Sequence, residues 1–277
     1  MNENIDDIMN IAMITMRPRI GQKENNIKHM QSLIKKTSAE FCIFGEATLT
    51  GYRCQDELRN LAEPFHGPSV KILQKTAQRQ DKYILFGLPL ADEKRKGLIY
   101  NAAVLLHPNG EIGVYKKWFL PNFGPFKEKL FFDQGETLPV FQTPLGTIGV
   151  IICYDLFFSE LSKSLAMQGA DIIICISASP TISKRFFEIL FPARAIELTT
   201  FFIFTNIVGT QDDLVFWGGS QAYDPLGNLI IKAPYHEESI ITFDIDLSTL
   251  PTIRAHRPTI RDTRPELFSD LLKISRK

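Results

Sequence analysis

The chain has 277 residues, with 31 Lys and Arg against 31 Asp and Glu and a formal net charge of zero, so no basic field favours nucleic acid and no acidic tail suggests a basic partner. Its 44% hydrophobic content is enough to pack one large α/β domain or two small ones. The four cysteines, Cys42, Cys54, Cys153 and Cys175, lie far apart without a CxxC pair, and the histidines show no zinc spacing, which argues against a disulfide framework or a cysteine-rich metal site.

At the amino terminus, MNENIDDIMNIAMITM is acidic and polar before a short apolar run, the wrong order for a signal peptide. No stretch reaches the roughly 20 apolar residues of a membrane span, so a soluble protein of a reducing, cytoplasmic compartment is expected. IAMITM (11–16) reads as a buried strand, and Ile27, Met30, Leu33 and Ile34 then recur at helical spacing. FCIFGE (41–46) returns to strand. A helix over 69–78 precedes the strand YILFGLPL, and NAAVLLHP and EIGVYKKW form a hairpin about Pro108-Asn109-Gly110. GTIGVIICYD, DIIICISA and FFIFTNIVG read as further strands, with helices over 159–168 and 186–200 between them, and a second hairpin turns at Asp224-Pro225-Leu226-Gly227-Asn228. Strands alternating with helices predict an α/β sheet covered by helices, and the hairpins make that sheet mixed. With no linker, repeat or low-complexity tract, 1–277 reads as one domain, with 251–277 as a polar tail carrying a short helix over 266–274.

Ligands of open α/β sheets bind beyond the carboxyl ends of strands, and three such ends carry unusual polar residues: Glu46 after FCIFG, Lys117 after EIGVYK and Cys153 after GVII. A carboxylate after so apolar a run is costly to bury unpaired, so Glu46 either faces a solvated cleft or serves as a base. Lys116 competes with Lys117, because alternation lets only one of the pair face a site. The three types form a workable set: a carboxylate to take the thiol proton, a thiolate to attack a carbon bonded to nitrogen, and an ammonium to hold the resulting oxyanion. Cys175 lies inside its apolar run rather than at its end, and reads as core packing, as does Cys42. Cys54 follows the Glu46 segment in a polar loop that could lie near a pocket mouth.

GEATLTGY (45–52), YKKWFLPN (115–122) and GVIICYDLFFSE (149–160) resemble, in order and separation, the three motifs of the nitrilase superfamily, the carbon-nitrogen hydrolases. The resemblance covers nearly the whole chain. It implies a four-layer αββα sandwich, assembled as a homodimer or larger, with Glu46, Lys117 and Cys153 as catalytic triad. It also implies a second glutamate, Glu128, in the stretch from Lys117 to Phe132 and Gly135, that holds the lysine or the substrate amide. Cys153-Tyr154-Asp155 is similar to amidase-like branches, whereas nitrilases typically continue Trp-Glu. LPNFGPFKEKLFF, ISASP and NIVGTQDDLVFWGGS are similar to the glutaminase domain of glutamine-dependent NAD synthetases, although Trp217 stands where those usually carry Asp.

The resulting expectation is a carbon-nitrogen hydrolase that cleaves small linear carboxamides through a Cys153 thioester, with the Tyr154 backbone N–H and Lys117 holding the oxyanion and no metal or cofactor. Phe123, Phe126, Tyr154 and the segment 177–181, with Ser177 and Ser179, are candidates for the pocket wall. The alternatives are a glutaminase subunit supplying a separate NAD synthetase partner, a nitrilase, or a non-catalytic scaffold. The intact Glu46, Lys117, Glu128 and Cys153 set argues against the last. No nucleic-acid or membrane partner is expected.

Overall fold

A computed structural model describes residues 8–144 and 146–275. The acidic residues 1–7 and the last two residues of the expected tail lie outside the described residues. The first half runs β1 (Ile8–Thr15), α1 (Lys23–Ile34), β2 (Phe41–Phe44), α2 (Leu58–Leu61), α3 (Pro68–Gln80), β3 (Tyr83–Ala91), β4 (Ile99–Leu106) and β5 (Ile112–Lys116). The second runs β6 (Val140–Thr143), β7 (Gly146–Ile152), α4 (Ser159–Met167), β8 (Ile172–Ser177), α5 (Lys184–Leu198), β9 (Phe201–Asn206), β10 (Val208–Gln211), β11 (Leu214–Trp217), β12 (Gln221–Tyr223) and β13 (Leu229–Lys232). β14 (Ser239–Asp246), α6 (Leu250–His256) and α7 (Pro265–Ser275) complete the chain.

Among the described residues these strands form two six-stranded sheets, in the orders β14-β1-β2-β3-β4-β5 and β13-β12-β9-β8-β7-β6, and a separate β10–β11 ribbon. Each large sheet has a parallel centre, β1-β2-β3 or β7-β8-β9, and antiparallel flanks. The hairpins among alternating strands and helices predict mixed pairing, and that is what forms, but the simple reading of one covered sheet is corrected to two. A period of two says which residues share a face and not which sheet a strand joins.

Alternation then sets the layers. Ile11, Met13, Phe41, Ile43 and Leu85 of the first sheet share one buried cluster with Ile148, Val150, Ile172, Ile174 and Ile203 of the second. The opposite face of the first sheet, with Ala12, Ile14, Cys42, Phe44, Ile84 and Phe86, packs on Ile27, Met30, Leu33 and Ile34 of α1 and on Val70, Leu73 and Ala77 of α3. On the outer face of the second sheet, Phe187 and Phe191 of α5 meet Phe202 and Phe204. Helices, sheet, sheet and helices therefore stack as the four-layer αββα sandwich. Each Ile, Leu or Phe buried between layers contributes about 1.5–3 kcal/mol, so these faces determine the stacking.

The carboxyl ends of β2, β7 and β8 and the end of β5 converge at one end of the two-sheet stack. Gly87 in β3 makes that convergence possible: a Cβ there would stand 2.4 Å from the Ala47 N and 2.7 Å from the Glu46 Cα. Two backbones thus pass where no side chain fits. The carboxy-terminal segment departs from its expected polar character. α7 matches the predicted helix, yet Leu267, Leu271, Leu272 and Ile274 point at solvent, and Pro251 lies inside α6. Among the described residues no helix is long and apolar enough to cross a membrane.

Candidate active site

Glu46 stands just past β2, one residue after Gly45 leaves the strand. Ala47 turns the chain with φ +52°, and the Thr48 hydroxyl donates to the Gly45 carbonyl at 2.6 Å, so the carboxylate is aimed inward by a locked turn. It is fully buried, which excludes the solvated cleft considered above. Its Oε1 accepts from Asn101 Nδ2 at 2.7 Å and Lys117 Nζ at 2.8 Å, and its Oε2 accepts from the Ala178 N–H at 2.6 Å.

Lys117 continues the β5 ladder by one bond, its N–H donating to the Asn101 carbonyl at 2.8 Å. The choice between the two lysines falls out of this pleat. Lys116 turns outward to Asp92 and over the Tyr100 ring, while Lys117 is fully buried. Its ammonium also donates to Glu128 Oε1 at 2.9 Å, and Glu128 accepts a further bond from the Tyr52 hydroxyl at 2.7 Å. Burial opposes the Lys117 charge, but Glu128 and Glu46 outweigh it and hold the ammonium well above its ordinary pKa.

Two carboxylates around one ammonium leave a net negative charge in a desolvated place. Burial chiefly, with Glu46 adding to it and Lys117 opposing it, pushes the Glu128 carboxyl up to about 7. Between the ordinary value near 4.5 and about 7 the folded state therefore keeps a proton that the unfolded chain releases. Ionising Glu128 costs stability as pH rises through that window. The same ionisation creates the charge that grips Lys117. Activity is accordingly expected to rise with pH, with an acid limb of kcat/KM centred near 7. A pH–rate profile checks this, and the residual activity of Glu128→Gln should lack the limb.

Cys153 closes β7 with φ +50°, a left-handed conformation that costs a non-glycine residue roughly 1 kcal/mol. Asp155 braces the turn. Its Oδ2 accepts from the Ile152 N–H at 3.0 Å and the Tyr115 hydroxyl at 2.7 Å, and its Oδ1 accepts from the Phe119 N–H at 2.9 Å. One buried carboxylate thereby ties the cysteine turn to the strand and loop on either side of Lys117. Cys153 is only 7% exposed, so its site is not the solvated one that a strand-end thiol suggests. Burial first, and then the Glu46 carboxylate, raise the thiol well above its ordinary pKa, against Lys117 and the Ser177 hydroxyl. The resting group is a thiol, and its use as a nucleophile requires a base.

A cavity of about 290 Å³ opens over Cys153, and Phe123, Phe126, Tyr154 and Ser179 line it. Ser177 does not. It is buried at the end of β8, where its carbonyl accepts from the Glu46 and Ile207 N–H groups and its hydroxyl acts on the Cys153 thiol. Cys54 is buried rather than at a pocket mouth, its thiol donating to the Thr50 carbonyl at 3.1 Å. Cys175 and Cys42 are fully buried in the core. Trp217 is also buried and donates through Nε1 to Ser179 Oγ at 3.2 Å.

Sequence reasoning missed Asn101, which bridges Glu46 and Glu128 at 2.7 and 3.3 Å, and Tyr52. The signal for Asn101 was a lone amide inside the apolar run IYNAAVLL, a placement that needs partners. Tyr52 ended the very segment quoted for Glu46. Among the described residues no group of three His, Cys, Asp or Glu side chains could hold a metal ion.

Comparison with known proteins adds the family context. The carbon-nitrogen hydrolase family profile matches residues 10–255. The chain is 30% identical to a probable nitrilase of Schizosaccharomyces pombe over 95% of its own length and 98% of that protein, and 28% identical to an (R)-stereoselective amidase of a Pseudomonas species over 92% of each. It is 32% identical to the glutamine-dependent NAD(+) synthetase of Thermotoga maritima, matching 86% of this chain but only 42% of that one. The fold is that of the carbon-nitrogen hydrolase crystal structure from Helicobacter pylori, with a TM-score of 0.89 and 24% identity over 98% of this chain and all of the other.

Proposed function

Because the chain belongs to the carbon-nitrogen hydrolases of the nitrilase superfamily, and so is a hydrolase of carbon–nitrogen bonds, we propose that it is an amidase of small linear carboxamides working through a Cys153 thioester. The observation that carries this reading is the buried Glu46–Lys117–Glu128 cluster set against Cys153 at the floor of the cavity.

In the proposed cycle Glu46 takes the Cys153 proton as sulfur attacks the amide carbon and the C–S bond forms. The carbonyl oxygen becomes an oxyanion held by the Lys117 ammonium and the Tyr154 N–H. Collapse breaks the C–N bond, Glu46 returns its proton to nitrogen, and ammonia leaves. Water, giving its proton to Glu46, then attacks the thioester carbon. The C–S bond breaks, the acid departs, and Cys153 recovers its proton. Glu128, with Tyr52 and Asn101, keeps the lysine and the base in register. The amide is the small-molecule partner in this reading, and assembly as a homodimer or larger remains part of the proposal.

Intact-protein mass spectrometry during turnover of a carboxamide, alongside ammonia release from that amide and its matching nitrile, tests the reading. An acyl adduct on Cys153 and a faster amide are expected; a faster nitrile, or an adduct on another cysteine, would overturn it. The Thermotoga synthetase similarity favours a second reading, a glutaminase subunit. In that case an ammonia-dependent NAD synthetase should accelerate glutamine hydrolysis.

A further inference from the structure

The cavity above Cys153 has a graded wall. At its closed end Phe187 is 2% and Phe126 8% exposed, whereas Phe123 and Phe186 at the mouth are more than half exposed. The rings form a connected set, with Phe157 edge-on to Phe187 at 5.4 Å and Phe123 edge-on to Phe126 at 5.5 Å. Tyr154 joins the two groups at 5.3 Å from Phe123 and 5.6 Å from Phe157.

The polar side chains in this wall are hydroxyls. Ser179 already accepts from Trp217, which leaves Ser183 and Tyr154 as the free polar tips. Among the described residues lining the cavity none carries an ionised side chain. The charges of Glu46, Lys117 and Glu128 lie behind the thiol, paired within their own buried cluster and off the cavity wall. An acyl arm bearing an ammonium or a carboxylate would therefore shed its hydration with no counter-charge to meet it. An apolar arm gains burial along its whole length, and an aryl group finds ring edges at the spacings that aromatic pairs prefer.

On the amidase reading above, the geometry points to primary amides with uncharged apolar acyl arms, aryl-terminated arms included, as the substrate class of this chain, with Phe157 and Phe187 holding the arm.

The test compares ammonia release from acetamide, hexanamide, 3-phenylpropanamide and glutamine by the purified protein. The two apolar amides should exceed acetamide in kcat/KM by about 10-fold or more, and glutamine should fall below acetamide. A Ser183→Arg variant, which puts a cation at the wall, should shift the ratio of hexanamide to glutaramate hydrolysis toward glutaramate by about 10-fold. Binding of the same amides to Cys153→Ala, followed by calorimetry, separates this inference from the catalytic reading. Tighter binding of 3-phenylpropanamide than of glutamine upholds it even if no amide turns over. Acetamide turnover with no gain for longer apolar arms, or tighter binding of glutamine, overturns the substrate class and leaves the amidase chemistry standing.

Discussion

On the proposed thioester mechanism, replacing Cys153 by alanine should lower kcat by about 10⁴-fold or more while leaving the folded structure in place, since the sulfur that would form the bond is lost and the other groups of the site remain. The left-handed backbone at this position sharpens the expectation for stability. Alanine bears the same steric cost as cysteine there, so Cys153→Ala should unfold within about 1 kcal/mol of the parent. Glycine adopts this conformation freely, and Cys153→Gly should be more stable than Cys153→Ala despite its larger chain entropy. Urea denaturation of the two variants reads that order, and ammonia release reads turnover. Cys175→Ala supplies the contrast, because that thiol is fully buried in the core and its loss should cost stability while sparing activity. A fully active Cys153→Ala protein would remove the thiol from the reaction.

Replacing Lys117 by methionine should be the most damaging substitution for the fold itself. The side chain is buried between Glu46 at 2.8 Å and Glu128 at 2.9 Å, so methionine keeps most of the volume but strands two carboxylates without their counter-charge. Breaking a buried pair in this way costs about 3–5 kcal/mol. The loss must depend on pH. Glu128 titrates at about 7 with the ammonium beside it, and without Lys117 its proton is held more tightly still. At pH 6 protonation relieves part of the repulsion; at pH 8 it relieves less. Chemical denaturation at the two values should therefore find Lys117→Met less stable at pH 8 than at pH 6, with turnover absent at both. Equal stability at the two pH values would mean that the carboxylates find other partners once the lysine is gone.

The local signals in the chain account for a good part of this molecule. The apolar runs within 11–15, 41–44 and 172–177 became buried strands because alternation and β-branching depend only on near neighbours, and Asn109-Gly110 turned the β4–β5 hairpin for the same reason. The polar residues that end those runs, Glu46, Lys117 and Cys153, stand out in the sequence because burying such groups is costly unless something meets them. What meets them is decided elsewhere. Lys117 finds Glu46 across 71 positions of chain, and the Glu46 carboxylate is completed by a backbone N–H of Ala178, 132 positions away. The same holds for Asn101 as a bridge, for Ser177 beneath the thiol instead of on the wall, and for the division of the strands into two sheets. None of these has a period or a short motif, since each arises from the register of strands distant in sequence. Which residue types end the strands is legible in the chain. Their burial, and the sharing of one ammonium by two carboxylates, arise in the folded molecule, because desolvation and pairing are properties of the packed neighbourhood and not of the residue.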